Sequence, residues 1–133
     1  MILVIDNISD SLRVSLLRAG QEIGSLVIEG QRADLLAEVS KLLTKNKTKI
    51  KALKGIAVVA GPGRFSAVRR SVAIANALAF AQQIPVVGIS QAEANDLEQL
   101  SEKLKSAKVG VSIVPLYDGE PNITVDKSLA KKS

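Results

Sequence analysis

An α/β fold with a mixed five-stranded sheet and helices on its faces is what this sequence predicts. Near the amino terminus, short apolar segments are joined by a turn that contains glycine, which is typical of a β-hairpin. Later, continuous apolar runs of strand length alternate with segments of helical periodicity, which favours parallel strands covered on both faces. The chain has 133 residues, 47% of them hydrophobic, which suits one domain with one core.

The first part of the chain predicts three strands and one helix. Apolar strands are expected over residues 2–5, 12–17 and 23–28, with a hairpin turn at residues 19–22. Residues 34–44 predict an amphipathic helix, because apolar residues recur at i, i+1, i+4, i+7 and i+8 and form one broad stripe.

The second part alternates strands and helices around a glycine-rich turn. The expected elements are a buried strand at 56–60, a Gly-Pro-Gly turn, a helix rich in small residues at 65–81, a buried strand at 85–89, a polar helix at 91–105 and a final strand at 109–116. We therefore expect a domain over residues 1–108, followed by a carboxy-terminal strand and a flexible tail over 109–133.

Composition excludes several kinds of chemistry. The chain has no cysteine and no histidine, so it forms no disulfide, no zinc site with such ligands and no Ser-His-Asp triad. We predict no catalytic residue, no metal and no cofactor. No apolar run approaches the length of a membrane span, and the short apolar start lacks a basic segment, which predicts a cytoplasmic protein without membrane contact.

The turn at residues 61–63 and the end of the first strand are candidate ligand sites. A helix amino terminus can hold an anion, so Gly61, Gly63, Arg64 and Arg69 are candidate anion-binding residues. However, the turn lacks the Gly-Lys-Ser/Thr ending of a P-loop, and a tight strand-to-helix connection is the favoured interpretation. Asp6 is a candidate nucleotide-site residue, and capping of a turn is its alternative.

Basic residues dominate two segments. The net charge is +5, and much of the excess lies in residues 45–54, with five lysines, and in the tail, with Lys127, Lys131 and Lys132. Such a balance can place a protein near nucleic acid. Because no aromatic residue interrupts the first run to stack on bases, we favour a solvated loop there.

Several segments resemble the TsaB (YeaZ) family. Residues 5–8, Ile-Asp-Asn-Ile, resemble the family's Ile-Asp-Thr-Ser turn. Residues 61–69, GPGRFSAVR, resemble its Gly-Pro-Gly-Ser-Phe-Thr-Gly-Leu-Arg motif, and residues 78–81 and 84–90 match its Leu-Ala-Phe-Ala and Ile-Pro-Val-Val-Gly-Ile-Ser segments. Residues 115–117 resemble the family's Pro-x-Tyr tail.

The resemblance implies a ribonuclease H-like or actin-like domain with most of a second domain absent. It also implies a non-catalytic scaffold that supports TsaD in forming N6-threonylcarbamoyladenosine next to the anticodon of tRNAs reading codons beginning with A. TsaE would join the complex, and tRNA would be an indirect partner of this chain, through the complex. The alternatives are an actin-like nucleotide-binding domain and a stand-alone homodimer.

In the family, the two helices of this domain pack on TsaD or on a second copy. They correspond here to residues 34–44 and 65–81. We therefore expect a partner interface formed by Leu36, Val39, Leu43, Val68, Val72, Ala75 and Leu78.

Overall fold

The computed structural model describes residues 1–7, 11–29, 34–61 and 65–114, without the side chains of Phe65 and Ser66. Its sheet has five strands in the order β3-β2-β1-β4-β5. The strands are β1 (Ile2–Asp6), β2 (Ser11–Arg18), β3 (Gln21–Glu29), β4 (Gly55–Val59) and β5 (Val86–Ile89). Strands β1, β2 and β3 pair antiparallel, whereas β4 pairs parallel with both β1 and β5. The predicted mixed five-stranded sheet is therefore confirmed.

The β2–β3 hairpin forms where the sequence predicts it. Its two turn residues, Ala19 and Gly20, both have positive φ angles of 52° and 78°. Positive φ at both positions matches the right-handed twist of the flanking strands. A bulge between Leu16 and Leu17 shifts the register and leaves Ile23 without a direct partner.

Two helices cover each face of the sheet. Helices α1 (Leu35–Lys45) and α2 (Phe65–Gln82) bury their apolar side chains against one face, with Leu3, Ile5 and Ile56 of the sheet. Helices α3 (Gln91–Ala94) and α4 (Leu97–Ser106) cover the other face, where Leu100 and Leu104 pack on alternate strand residues. The alternation of side chains along each strand supplies both cores.

The predicted helix over residues 91–105 is interrupted. Ser90 and Glu93 form a reciprocal capping box that starts α3, which ends at Ala94 with Asn95 as its C-cap. The Asp96 side chain then accepts a hydrogen bond from the Gln99 amide and starts α4. Two caps in close succession thus replace one continuous helix.

The predicted strand at 109–116 is wrong over residues 109–114, which have no regular secondary structure. There the Asn76 side chain of α2 takes the place of a strand partner. Its amide nitrogen donates to the Ile113 carbonyl at 2.9 Å, and its oxygen accepts from the Ile113 amide at 2.8 Å. Residues 115–133, with the expected flexible tail and the Pro-Leu-Tyr segment, lie outside the described residues.

Candidate functional site

The carboxyl ends of β1, β4 and β5 form the edge of the sheet where the sequence places its candidate ligand residues. Asp6 ends β1, and Gly61 follows β4 with a φ angle of 121°, a conformation that L side chains rarely adopt. Gln91 donates to the Asp6 carboxylate at 3.4 Å. Gly63 and Arg64 lie outside the described residues, and Arg69 is exposed on α2.

A cleft of about 300 Å³ adjoins Asp6 on the α3/α4 face of the sheet. Arg13 donates to Glu22 at 2.8 Å and to the Ser15 hydroxyl at 3.3 Å, so this guanidinium is engaged within the chain. Gly61 is not among the residues that line the cleft. Among the described residues, Gly61 of the turn and Asp6 therefore do not share this cleft, and residues 62–64 of the turn lie outside the described part of the chain.

The predicted partner interface needs correction, because five of its seven side chains lie in the core. The exposed fractions are 3% for Val39, 6% for Leu43, 0% for Val68, 2% for Val72 and 0% for Ala75. These side chains hold the two helices on the sheet, so they do not form a contact surface in this fold.

The remaining two residues of that prediction are more accessible. Leu36 is 51% exposed on the outer face of α1. Leu78 is half-buried and packs against the core at the side of α2. Leu36 is therefore the predicted interface residue that the structure leaves most available.

The outer face of α2 carries an exposed apolar surface that the sequence reasoning missed. Ala73, Ala77, Phe80 and Ala81 are exposed, and Phe80 has 74% of its surface accessible. We call these four residues the α2 surface. The signal in the sequence is the absence of any charged residue from 71 to 82, where an ordinary surface helix carries charges on its outer face.

Glu93 and Lys103 form an ion pair on the opposite side of the sheet, at 3.1 Å. The pKa of Glu93 is lowered, first because the Ser90 backbone amide donates to its carboxylate and then because Lys103 lies beside it. The Lys103 ammonium also donates to the Gly88 carbonyl at 3.0 Å. These contacts are structural, since they fix α3 and α4 on β5.

Comparison with known proteins matches residues 27–120 to the family model described as "TsaD: tRNA N6-adenosine threonylcarbamoyltransferase". The structure is similar to YeaZ from Pseudomonas aeruginosa, with a TM-score of 0.62 and 33% identity over 67% of this chain and 43% of that chain. This chain belongs to the family of TsaD and TsaB (YeaZ) proteins. Its mixed sheet has the actin-like, ribonuclease H-like fold that the resemblance implies.

Two curated relatives carry names from the same family. A tRNA N6-adenosine threonylcarbamoyltransferase from Geotalea daltonii is 30% identical over 77% of this chain and 36% of its own length. A tRNA threonylcarbamoyladenosine biosynthesis protein TsaB from Buchnera aphidicola is 38% identical over 42% of this chain and 27% of its own length. The chain thus spans about a third of the curated relatives it matches.

The described residues contain neither a membrane-spanning helix nor a cluster of metal ligands. No helix in that part of the chain is long and apolar enough to cross a membrane. The same residues contain no group of three or more His, Cys, Asp or Glu side chains that could hold a metal ion.

Proposed function

We propose that this chain is a non-catalytic scaffold that binds TsaD and supports the formation of N6-threonylcarbamoyladenosine in tRNA. Its membership of the TsaD and TsaB family supports the pathway. The absence of histidine from the whole sequence supports a non-catalytic role, because the chain lacks the commonest general base and metal ligand.

The observation that carries the proposal is the exposed apolar α2 surface. Phe80, with 74% of its surface exposed, and three exposed alanines form one apolar surface on the same helix, and contiguous apolar surfaces on a folded domain commonly mark contact sites. Small side chains such as Ala73 and Ala77 allow the backbone of a second helix to approach closely. We propose that the α2 surface, extended by Leu36 of α1, is where TsaD packs.

The experiment mixes the purified chain with TsaD from the same genome and follows the complex by size-exclusion chromatography with light scattering. Ala77→Arg places an unpaired charge in the middle of the α2 surface. Burying such a charge costs several kcal/mol, so the complex should weaken by more than about tenfold. Ala92→Arg is the matched control, because Ala92 is also an exposed helical alanine but lies on α3.

Each outcome decides a separate part of the proposal. Separate peaks for the unmodified proteins would reject TsaD binding. Equal affinities for the Ala77→Arg and Ala92→Arg variants would reject the α2 surface as the contact. A tRNA-modification assay, with and without this chain, then tests whether the complex is needed for threonylcarbamoyl transfer.

The same exposed surface also fits a homodimer of this chain. Light scattering of the chain alone shows whether a dimer forms. If the chain forms a dimer that Ala77→Arg separates and that TsaD does not dissociate, the α2 surface serves self-association and the heterodimer proposal is rejected.

A further inference from the structure

The opposite edge of the sheet, at the amino ends of β1 and β4, gathers basic groups from distant parts of the sequence. In the strand pairing, Ile2 lies opposite Leu17 on one side and Gly55 on the other. Met1, Arg18 and Lys54 therefore stand side by side at the ends of three adjacent strands, where neighbouring strands are about 5 Å apart. The Lys54 amide donates to the Met1 carbonyl at 2.6 Å.

The electrostatics confirm that these groups lie close together. The pKa of the Met1 amino group is lowered, mainly because burial disfavours its charge and also because Lys54 and Arg18 repel it. Arg18 and Lys54 are both exposed. Arg18 and Lys54, which are far apart in the sequence, thus lie on either side of the Met1 amino group at one edge of the sheet.

The lysine-rich connector continues this edge and is fixed in place. Lysines at 45, 47, 49 and 51 are exposed, whereas the residues between them, Asn46, Thr48 and Ile50, are only partly exposed. Asn46 donates to the Leu42 carbonyl at 2.8 Å, and the Thr48 amide donates to the Leu43 carbonyl at 2.8 Å. Partly buried and exposed residues thus alternate along the connector, and the exposed ones are the lysines.

The stretch of sequence around the connector is free of acidic residues. From residue 39 to residue 92 the sequence contains nine lysines and arginines but no aspartate or glutamate. Among the described residues, the connector lysines and Lys54 form no ion pair with a carboxylate. On the side of α4, Glu98 and Glu102 lie beside the β2–β3 turn and limit the basic surface.

We infer that this edge binds the phosphate backbone of RNA, and we define the basic edge as the Met1 amino group, Arg18, Lys45, Lys47, Lys49, Lys51 and Lys54. The backbone of the connector is held in place, so the lysines project from fixed points, and a row of exposed cations is complementary to successive phosphates. Because the row holds no aromatic side chain, it contacts phosphates and does not read bases. The inference rests on the proposed function for its choice of RNA, a tRNA.

The experiment measures binding of a fluorescent tRNA transcript from the same genome by anisotropy at several salt concentrations. The test variant changes Lys49, Lys51 and Lys54 to glutamate. The control changes Lys127, Lys131 and Lys132 to glutamate, so both variants lower the net charge from +5 to −1. Circular dichroism checks that both variants keep the fold of the unmodified chain.

The unmodified chain should bind tRNA with an affinity that falls steeply with salt. The test variant should bind at least about tenfold more weakly, and the slope of log K against log salt should fall by about one for each lost phosphate contact. The control variant should keep most of the affinity. Absence of tRNA binding at low salt, or equal losses in both variants, would overturn the inference.

Two further measurements separate this inference from its alternatives. The test variant should still bind TsaD as the unmodified chain does, since none of its three substituted lysines belongs to the α2 surface. Loss of TsaD binding with tRNA binding retained would overturn the inference and assign the edge to the protein partner. Binding to phosphatidylserine vesicles without binding to tRNA would also overturn it.

Discussion

The Asn76 side chain holds residues 109–114 on the domain, and Asn76→Ala tests how much this contact contributes. The substitution removes two hydrogen bonds of 2.9 and 2.8 Å to the Ile113 backbone. At about 0.5–1.5 kcal/mol each, their loss should lower the free energy of unfolding by about 1–3 kcal/mol. For a domain of this size, that corresponds to roughly 5–10 °C in Tm.

The assay combines urea denaturation followed by circular dichroism with hydrogen exchange at the Ile113 amide. Asn76→Asp keeps the acceptor for that amide but sets a carboxylate oxygen against the Ile113 carbonyl oxygen, so its effect at neutral pH should be at least as large as that of Asn76→Ala. Asn95→Ala is the control, because Asn95 makes one exposed hydrogen bond of 3.2 Å to the Gln91 carbonyl. We expect little change from it.

The reasoning fails if Asn76→Ala unfolds within about 0.5 kcal/mol of the wild type and the Ile113 amide keeps its protection. The packing of residues 109–114 on β5 would then be sufficient without the side-chain contact. A large effect of Asn95→Ala would equally show that the Asn76 effect is not specific.

Three further predictions concern stability and charge. Because the pKa of Glu93 is lowered in the folded state, the stability that its carboxylate contributes is present above pH 4.5 and is lost as the pH falls through the lowered pKa. Glu93→Gln removes this contribution, so its plot of Tm against pH should be flatter in this range than that of the wild type. Gly88→Ala places a methyl group 2.9 Å from the Ile113 side chain, so urea denaturation should show that the free energy of unfolding falls by about 1–3 kcal/mol. Lys54→Gln should raise the pKa of the Met1 amino group part of the way to 8.0, as measured by the pH dependence of amine acylation, whereas Lys41→Gln should leave it unchanged.

Local patterns were sufficient to predict most strands and helices of this domain. The continuous apolar run before Gly61 predicts β4, and the i, i+4 stripe after Asp34 predicts α1, because burial of one face depends on side chains that are near neighbours in sequence. The break in the last helix also had a local signal, since Asp96 stands three residues before Gln99 in an N-cap position.

Other features depended on contacts between distant residues. The alternation of Val109, Val111 and Ile113 predicts a strand, but Asn76 occupies the backbone groups that a neighbouring strand would need. The apolar residues of α2 also gave no indication of which ones face the sheet. Since Ala75 is buried and Ala77 is exposed, the interface prediction selected mostly core residues.

The sequence by itself determined the α/β class, the order of the elements as far as β5 and the lysine-rich connector, because each follows from the spacing of residue types along the chain. Only the tertiary structure decided that α2 exposes Phe80 and that Arg18 and the Met1 amino group join Lys54 at one edge. Strand register sets which residues of β1, β2 and β4 end side by side, and the register is fixed by the sheet as a whole rather than by any single segment.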